Sequence, residues 1–75
     1  MNRIELERDD HTGVLDYTLD VAGTLSIWHV EVPDALRGQG FGGELVEKAR
    51  QLANEHQLKL NPICTFAKHY LDRHQ

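Results

Sequence analysis

Four glycines, Gly38, Gly40, Gly42 and Gly43, stand within six residues of one another. An apolar run closing at Val32-Pro33 precedes them, and a segment of helical period follows from Gly43. Glycine accepts positive φ and lets another molecule approach the main chain closely. A helix that starts at such a loop exposes its first N–H groups and the positive end of its dipole. Strand, glycine loop and helix in that order form an anion site, most often for phosphate.

The rest of the chain supplies a sheet for this loop. Arg3 to Arg8 alternates polar and apolar residues, the period of a half-buried strand. Asp9-Asp10-His11-Thr12-Gly13 reads as a turn. Val14 to Val21 carries Leu15, Tyr17, Leu19 and Val21 on one face, so a second strand pairs antiparallel with the first. After a turn at Ala22-Gly23, Thr24 to Val32 is the longest strand. Leu25, Ile27, His29 and Glu31 occupy its odd positions, and Ser26, Trp28, Val30 and Val32 its even ones. Apolar groups on both faces predict a central strand covered on both sides. Leu45, Val46, Ala49, Leu52 and Ala53 form one apolar helical stripe. Leu58 to Ile63 reads as a short strand, which a strand–helix–strand unit returns parallel. From Thr65, the residues Phe66, Ala67, Tyr70, Leu71 and His74 share a second helical face. The order is β-β-β-α-β-α: an antiparallel meander extended by a β-α-β-α unit, of α/β (α+β) class, with one helix expected on each face of the sheet.

Composition narrows the partners. With 75 residues the chain is expected to be one domain, residues 1–75. A domain this short buries only about 60% of its unfolded surface, and a ligand or a weak homodimer contact would add stability. Twelve acidic residues against eight basic ones leave a net charge of −4. That disfavours nucleic-acid binding, which needs a basic surface, and tolerates a cationic substrate. The one cysteine, Cys64, excludes an internal disulfide and fits a reducing cytoplasm. Met1-Asn2-Arg3-Ile4-Glu5 lacks the apolar core of a signal peptide, and no run approaches the ~18 apolar residues of a membrane span. His56, His69 and His74 form no metal quartet with Cys64, and no metal is expected.

Three phosphate ligands compete for the loop. A nucleoside triphosphate loop needs a lysine after its last glycine, where this chain has Glu44. The dinucleotide fingerprint is matched literally by Gly38, Gly40 and Gly43, but no acidic residue closes the next strand near Asn61-Pro62. The third reading is a resemblance. Val32-Pro33-x-x-Leu36-Arg37-Gly38-Gln39-Gly40-Phe41-Gly42 resembles the acetyl-CoA loop of the GNAT superfamily of N-acetyltransferases, whose pattern [QR]-x-x-G-x-[GA] is met by Arg37, Gly40 and Gly42. His29-x-Glu31-Val32-Pro33 and Pro62-x-Cys64-x-Phe66-x-x-x-Tyr70-x-x-x-His74 resemble a minimal single-domain branch of that superfamily.

The resemblance implies an acetyl-CoA-dependent transfer of an acetyl group to an amine, on a small molecule or a protein. It implies that the strand end at Val32 pairs with the pantetheine arm. Main-chain N–H groups from Arg37 through Gly38, Gln39, Gly40, Phe41, Gly42 and Gly43 would take the pyrophosphate, and side chains at Gly38, Gly40 and Gly42 would obstruct it. The thioester would point between the third and fourth strands where they splay. Full-length members carry helices between the early strands that build much of the acceptor site, and only short turns stand there in this chain. A coenzyme-A-binding module completed by a partner, or a small interaction domain with a purely structural loop, are the alternatives.

Four side chains are candidates for the chemistry. Acetyl transfer needs a base for the ammonium and an acid for the departing thiolate. Glu31 and His29 share a face of the cleft strand, and either is a candidate base; the plain alternatives are a surface carboxylate and a partly buried imidazole beside Ile27. Cys64 precedes a helix N-terminus, a position that favours thiolate, so it is a candidate nucleophile; the plain alternative is a small buried apolar residue. Tyr70 matches, by the resemblance, a tyrosine that protonates the coenzyme thiolate, and is otherwise a core aromatic.

Overall fold

A computed structural model describes residues 1–75, all of the chain. Its elements are β1 (Asn2–Arg8), β2 (His11–Leu19), β3 (Thr24–Glu31), a 3-10 turn (Asp34–Leu36), α1 (Phe41–Glu55), β4 (Lys59–Pro62) and α2 (Thr65–Arg73). They form one four-stranded sheet in the order β1-β2-β3-β4, antiparallel except for the parallel pair β3–β4. The β-β-β-α-β-α order expected from the periodicities is the observed one.

The β1–β2 turn is tighter than its composition suggests. Arg8 pairs with His11, leaving only Asp9 and Asp10 in the loop, both at positive φ (53° and 63°). That is the backbone of a two-residue hairpin turn whose twist matches the strands, and aspartate is one of few non-glycine residues that tolerate it. Asp10→Val places a β-branched side chain at that φ. A loss of roughly 1–2 kcal/mol is expected, read as a lower thermal midpoint. The β2–β3 turn is held by the Asp20 carboxylate, which accepts from the N–H groups of Ala22 (3.0 Å) and Thr24 (3.1 Å).

The core lies between the sheet and α1. Leu15, Leu25 and Ile27 from the strands meet Leu45, Val46, Ala49 and Ala53 of the expected α1 stripe, with Leu36 and Phe41 from the loop and its helix start. Gly13 makes room for Phe41. A Cβ there would lie 2.5 Å from the ring, so only glycine lets the helix start seat against β2.

Two expectations about the sheet need correction. Asp16 pairs with His29 while the next residue, Tyr17, pairs with Ile27, so Trp28 is an extra residue in β3. This β-bulge reverses the side-chain alternation. Leu25, Ile27, Val30 and Val32 pack on the core side, whereas His29 and Glu31 join Ser26 and Trp28 on the other face. His29 is therefore not beside Ile27. The second correction concerns the helices, which share one face. Ala67 of α2 is buried in the same cluster as α1, and α2 lies over Gly42 and Gly43, whose missing side chains leave space for the Phe66 and Tyr70 rings. Only Ile63 and Cys64 separate β4 from α2, and both donate their N–H to the Ile27 carbonyl, at 3.0 and 2.9 Å. The opposite face of the sheet carries no helix. Trp28 there is 47% exposed, so β3 is central but not covered on both sides.

Candidate functional site

The loop between β3 and α1 is built from main-chain conformation. Pro33 ends the strand, the Asp34–Leu36 turn buries Leu36, and Arg37 returns to extended backbone. Gly38 (φ 78°) and Gly40 (φ 74°) then take left-handed conformations, and Gly40 caps α1 without any side-chain hydrogen bond. The first bond of the helix is Glu44 N–H to Gly40 O, at 3.1 Å. The N–H groups of Gly38, Gln39, Gly40, Phe41, Gly42 and Gly43 consequently have no partner in the chain. A cavity of about 210 Å³ opens on this stretch, lined also by Val32, Leu36, Arg37 and Phe66. Consecutive free donors at the positive end of a 15-residue helix make an anion site.

The glycines have distinct reasons. A Cβ on Gly38 or Gly40 would meet nothing within 4 Å, so these two serve backbone conformation and leave the approach open. A Cβ on Gly42 or Gly43 would lie 2.7 Å from Phe66 or 2.6 Å from Tyr70, so these two serve helix packing. Gly42 lines the loop cavity together with Phe66, so its packing role stands beside the expectation that a side chain there would obstruct a ligand. Phe41 contributes only its N–H, because its ring is 1% exposed in the core beneath the Arg8 guanidinium. Arg8 also holds Glu44 with one nitrogen at 2.9 and 2.8 Å from its two oxygens, which offsets the carboxylate in the first helical turn. Arg37 and Gln39 are exposed; Arg37 pairs with Asp34 (3.0 Å).

Beside the loop, the sheet opens. β4 pairs with β3 only from Thr24 to Ile27, and β3 continues to Glu31 while the chain after Pro62 turns away into α2. The stretch from Trp28 to Glu31 is left with its β4-side edge unpaired, and the bulge lies at the point of separation.

The candidate side chains do not all converge. His29 Nε2 lies 3.1 Å from Glu31 Oε1 on the helix-free face. Next to them Asp16, opposite His29, is bound by Arg3 (2.7 Å), whose hydrogen bond holds the carboxyl below its usual range and raises the guanidinium. Cys64 caps α2 from where β3 and β4 part, with Thr65 as the first helical residue, but its side chain packs toward the core and no hydrogen bond joins it to His29. Tyr70 lies elsewhere. Its hydroxyl donates to Glu47 (2.7 Å) in a groove of about 610 Å³ between α1 and α2, and its ring stacks on His74 at 4.1 Å. The hydrogen bond to Glu47, then partial burial, pushes the phenol above its ordinary range. Sequence reasoning missed the Glu47–Tyr70 pair, the bulge at Trp28 and the seat of Phe66 at the loop cavity. The adjacent bulky pair Trp28-His29, which breaks a clean alternation, was the one signal for the bulge.

A glycine loop that opens a helix beside two splayed parallel strands is the frame of this site. The model of the GCN5-related N-acetyl-transferase family matches residues 3–75, and the chain belongs to that family. It is also 35% identical over 48 residues to Protein NATD1 of Xenopus tropicalis; the match takes in 64% of this chain and 44% of that protein. The chain thus spans less than half the length of that relative. No group of three or more His, Cys, Asp or Glu side chains is arranged to hold a metal ion, and no helix is long and apolar enough to cross a membrane.

Proposed function

We propose that this chain is an acetyl-CoA-dependent N-acetyltransferase. The observation that carries the reading is the run of six free N–H groups from Gly38 to Gly43, set beside the unpaired edge of β3. The loop donors would take the pyrophosphate, and the Trp28–Glu31 edge would bond the pantetheine amides as an added strand. This brings the thioester to the mouth of the cleft. His29, held by Glu31, takes a proton from the acceptor ammonium, directly or through water. The free amine attacks the acetyl carbon, the C–S bond breaks, and the second nitrogen proton passes through water to the departing sulfur, leaving the amide and coenzyme A as its thiol. This reading assigns no step to Tyr70, whose hydroxyl donates to Glu47 in the groove between α1 and α2.

A coenzyme-A-binding module completed by a partner is the second reading. The helix-free face supports it, since His29 and Glu31 are 54% and 73% exposed and no element of the chain encloses an acceptor beside them. Acetyl-CoA at a hundred times its dissociation constant is expected to stabilise the fold by about 2.7 kcal/mol under either reading, while NAD and ATP do not. A melting curve that acetyl-CoA leaves unmoved rules out both. Cys64→Ser then separates two routes to product. Full turnover assigns direct transfer. Loss of turnover with binding retained, and an acetyl adduct on Cys64 in the parent protein, assigns an acetyl-cysteine intermediate.

A further inference from the structure

The helix-free face of the sheet says what kind of acceptor this site takes. Both cavities of the molecule lie elsewhere, one on the loop and one between α1 and α2, and neither is lined by His29 or Glu31. A small amine gains affinity from a concave site that encloses most of its surface. A flat, exposed face gains it only from breadth, as protein–protein contacts do. The face also carries more carboxylates than cations, with Glu5, Glu7, Asp16 and Glu31 against Arg3, Lys59 and the N-terminal ammonium. Glu5, Val14 and Glu31 occupy one cross-strand row, and Glu7 lies opposite Thr12 in the next. Neither Glu5 nor Glu7 has a basic partner. Of the cations on this face, Arg3 is bound to Asp16 and also feels Glu5 and Glu31, the N-terminal ammonium acts on Asp16, and Lys59 pairs with Thr24 at the far end of β3, which leaves Glu7 without a paired cation. Between the acidic rows and β4 stands Trp28, 47% exposed, its indole N–H donated to Thr18 Oγ1 at 2.8 Å, which fixes the ring and leaves it open to a cation.

We propose that this face docks a lysine-rich polypeptide segment and that the acceptor amine is borne on it. The inference rests on the acetyltransferase reading and names its substrate class. The segment crosses the sheet over Glu5, Glu7 and Trp28, and these contacts deliver one amine to His29 at the cleft mouth.

The test uses the full chain, 15N-labelled and free of acetyl-CoA, titrated with a blocked peptide of lysine, alanine and glycine. Parallel titrations use the same peptide with glutamate in place of lysine, and putrescine. Expected are shifts of the Trp28 indole and of amides in the rows of Glu5, Glu7 and Glu31, caused by the lysine peptide alone. Glu5→Lys combined with Glu7→Lys is expected to weaken that binding about tenfold, and added salt to weaken it further. The acetyl-CoA melting shift of this variant stays that of the parent, so failure here is distinct from failure of the donor site. The proposal is overturned if putrescine binds this face as tightly as the peptide, if the glutamate peptide binds equally, if the shifts fall on the α1–α2 groove, or if the double variant binds unchanged. It is also overturned if concentration-dependent shifts without peptide show the face covered by a second copy.

Discussion

Phe41→Ala is expected to bring the protein to the edge of unfolding. The ring is 1% exposed, seated between the Gly13 backbone and α1, with the Arg8 guanidinium 5.0 Å above it. Truncating a buried phenylalanine removes about 3–5 kcal/mol, through lost transfer energy and the cavity left behind. A chain of this size has only ~4–11 kcal/mol to lose. Gly13 has no side chain that could move into the space, so the site collapses poorly. Urea titration of the variant should show a midpoint near zero denaturant, or no folded baseline at 25 °C. Phe66→Ala is the internal control. That ring is 43% exposed over Gly42, and its loss should shift the midpoint much less. Equal midpoints for the two variants would mean that Phe41 does not hold α1 to the sheet.

Gly40→Leu has the largest expected effect on binding. Gly40 sits at φ 74° as the cap of α1, and an added Cβ meets nothing of the protein within 4 Å. The fold therefore tolerates the change at the roughly 1–2 kcal/mol of a left-handed non-glycine residue. A leucine side chain in the approach to the loop keeps phosphate oxygens from the nearest N–H groups. Losing two charge-assisted hydrogen bonds of about 1.5–3 kcal/mol each amounts to at least a hundredfold in affinity. Calorimetric titration with acetyl-CoA measures it, with circular dichroism confirming the fold. Gly43→Ala makes the contrast. Its Cβ would lie 2.6 Å from Tyr70, so it should loosen α2 from α1 and lower stability first. Unchanged affinity in Gly40→Leu would remove the loop from donor binding and leave it a purely structural turn.

The glycine cluster illustrates how far a motif is readable without coordinates. Its position between strand and helix identifies an anion site, because the φ preference of glycine and the free donors of a helix start are local properties. That the four glycines divide into two for conformation and two for packing is not local. It depends on Phe66 and Tyr70, which lie more than twenty residues away and reach the loop only after β4 has returned the chain. The same holds for Tyr70. Its place on a helical face is legible from spacing, but its partner Glu47 belongs to the other helix, and no spacing along α2 shows that contact. His29 and Glu31 do share a face, as alternation suggested, yet it is the face away from Ile27. One extra residue at Trp28 changes the parity of everything after it.

Local periodicity and glycine placement alone determined the order of strands and helices, the apolar stripe of α1, the parallel return of β4 and the free main-chain donors of the loop. These follow from side-chain spacing along one element and from the backbone freedom of glycine. The tertiary structure decided which face each helix covers, where β3 and β4 part, which glycines face open space and which side chains meet. Those outcomes depend on register between strands and on contacts between residues far apart in the chain, and a bulge of one residue is enough to reassign them.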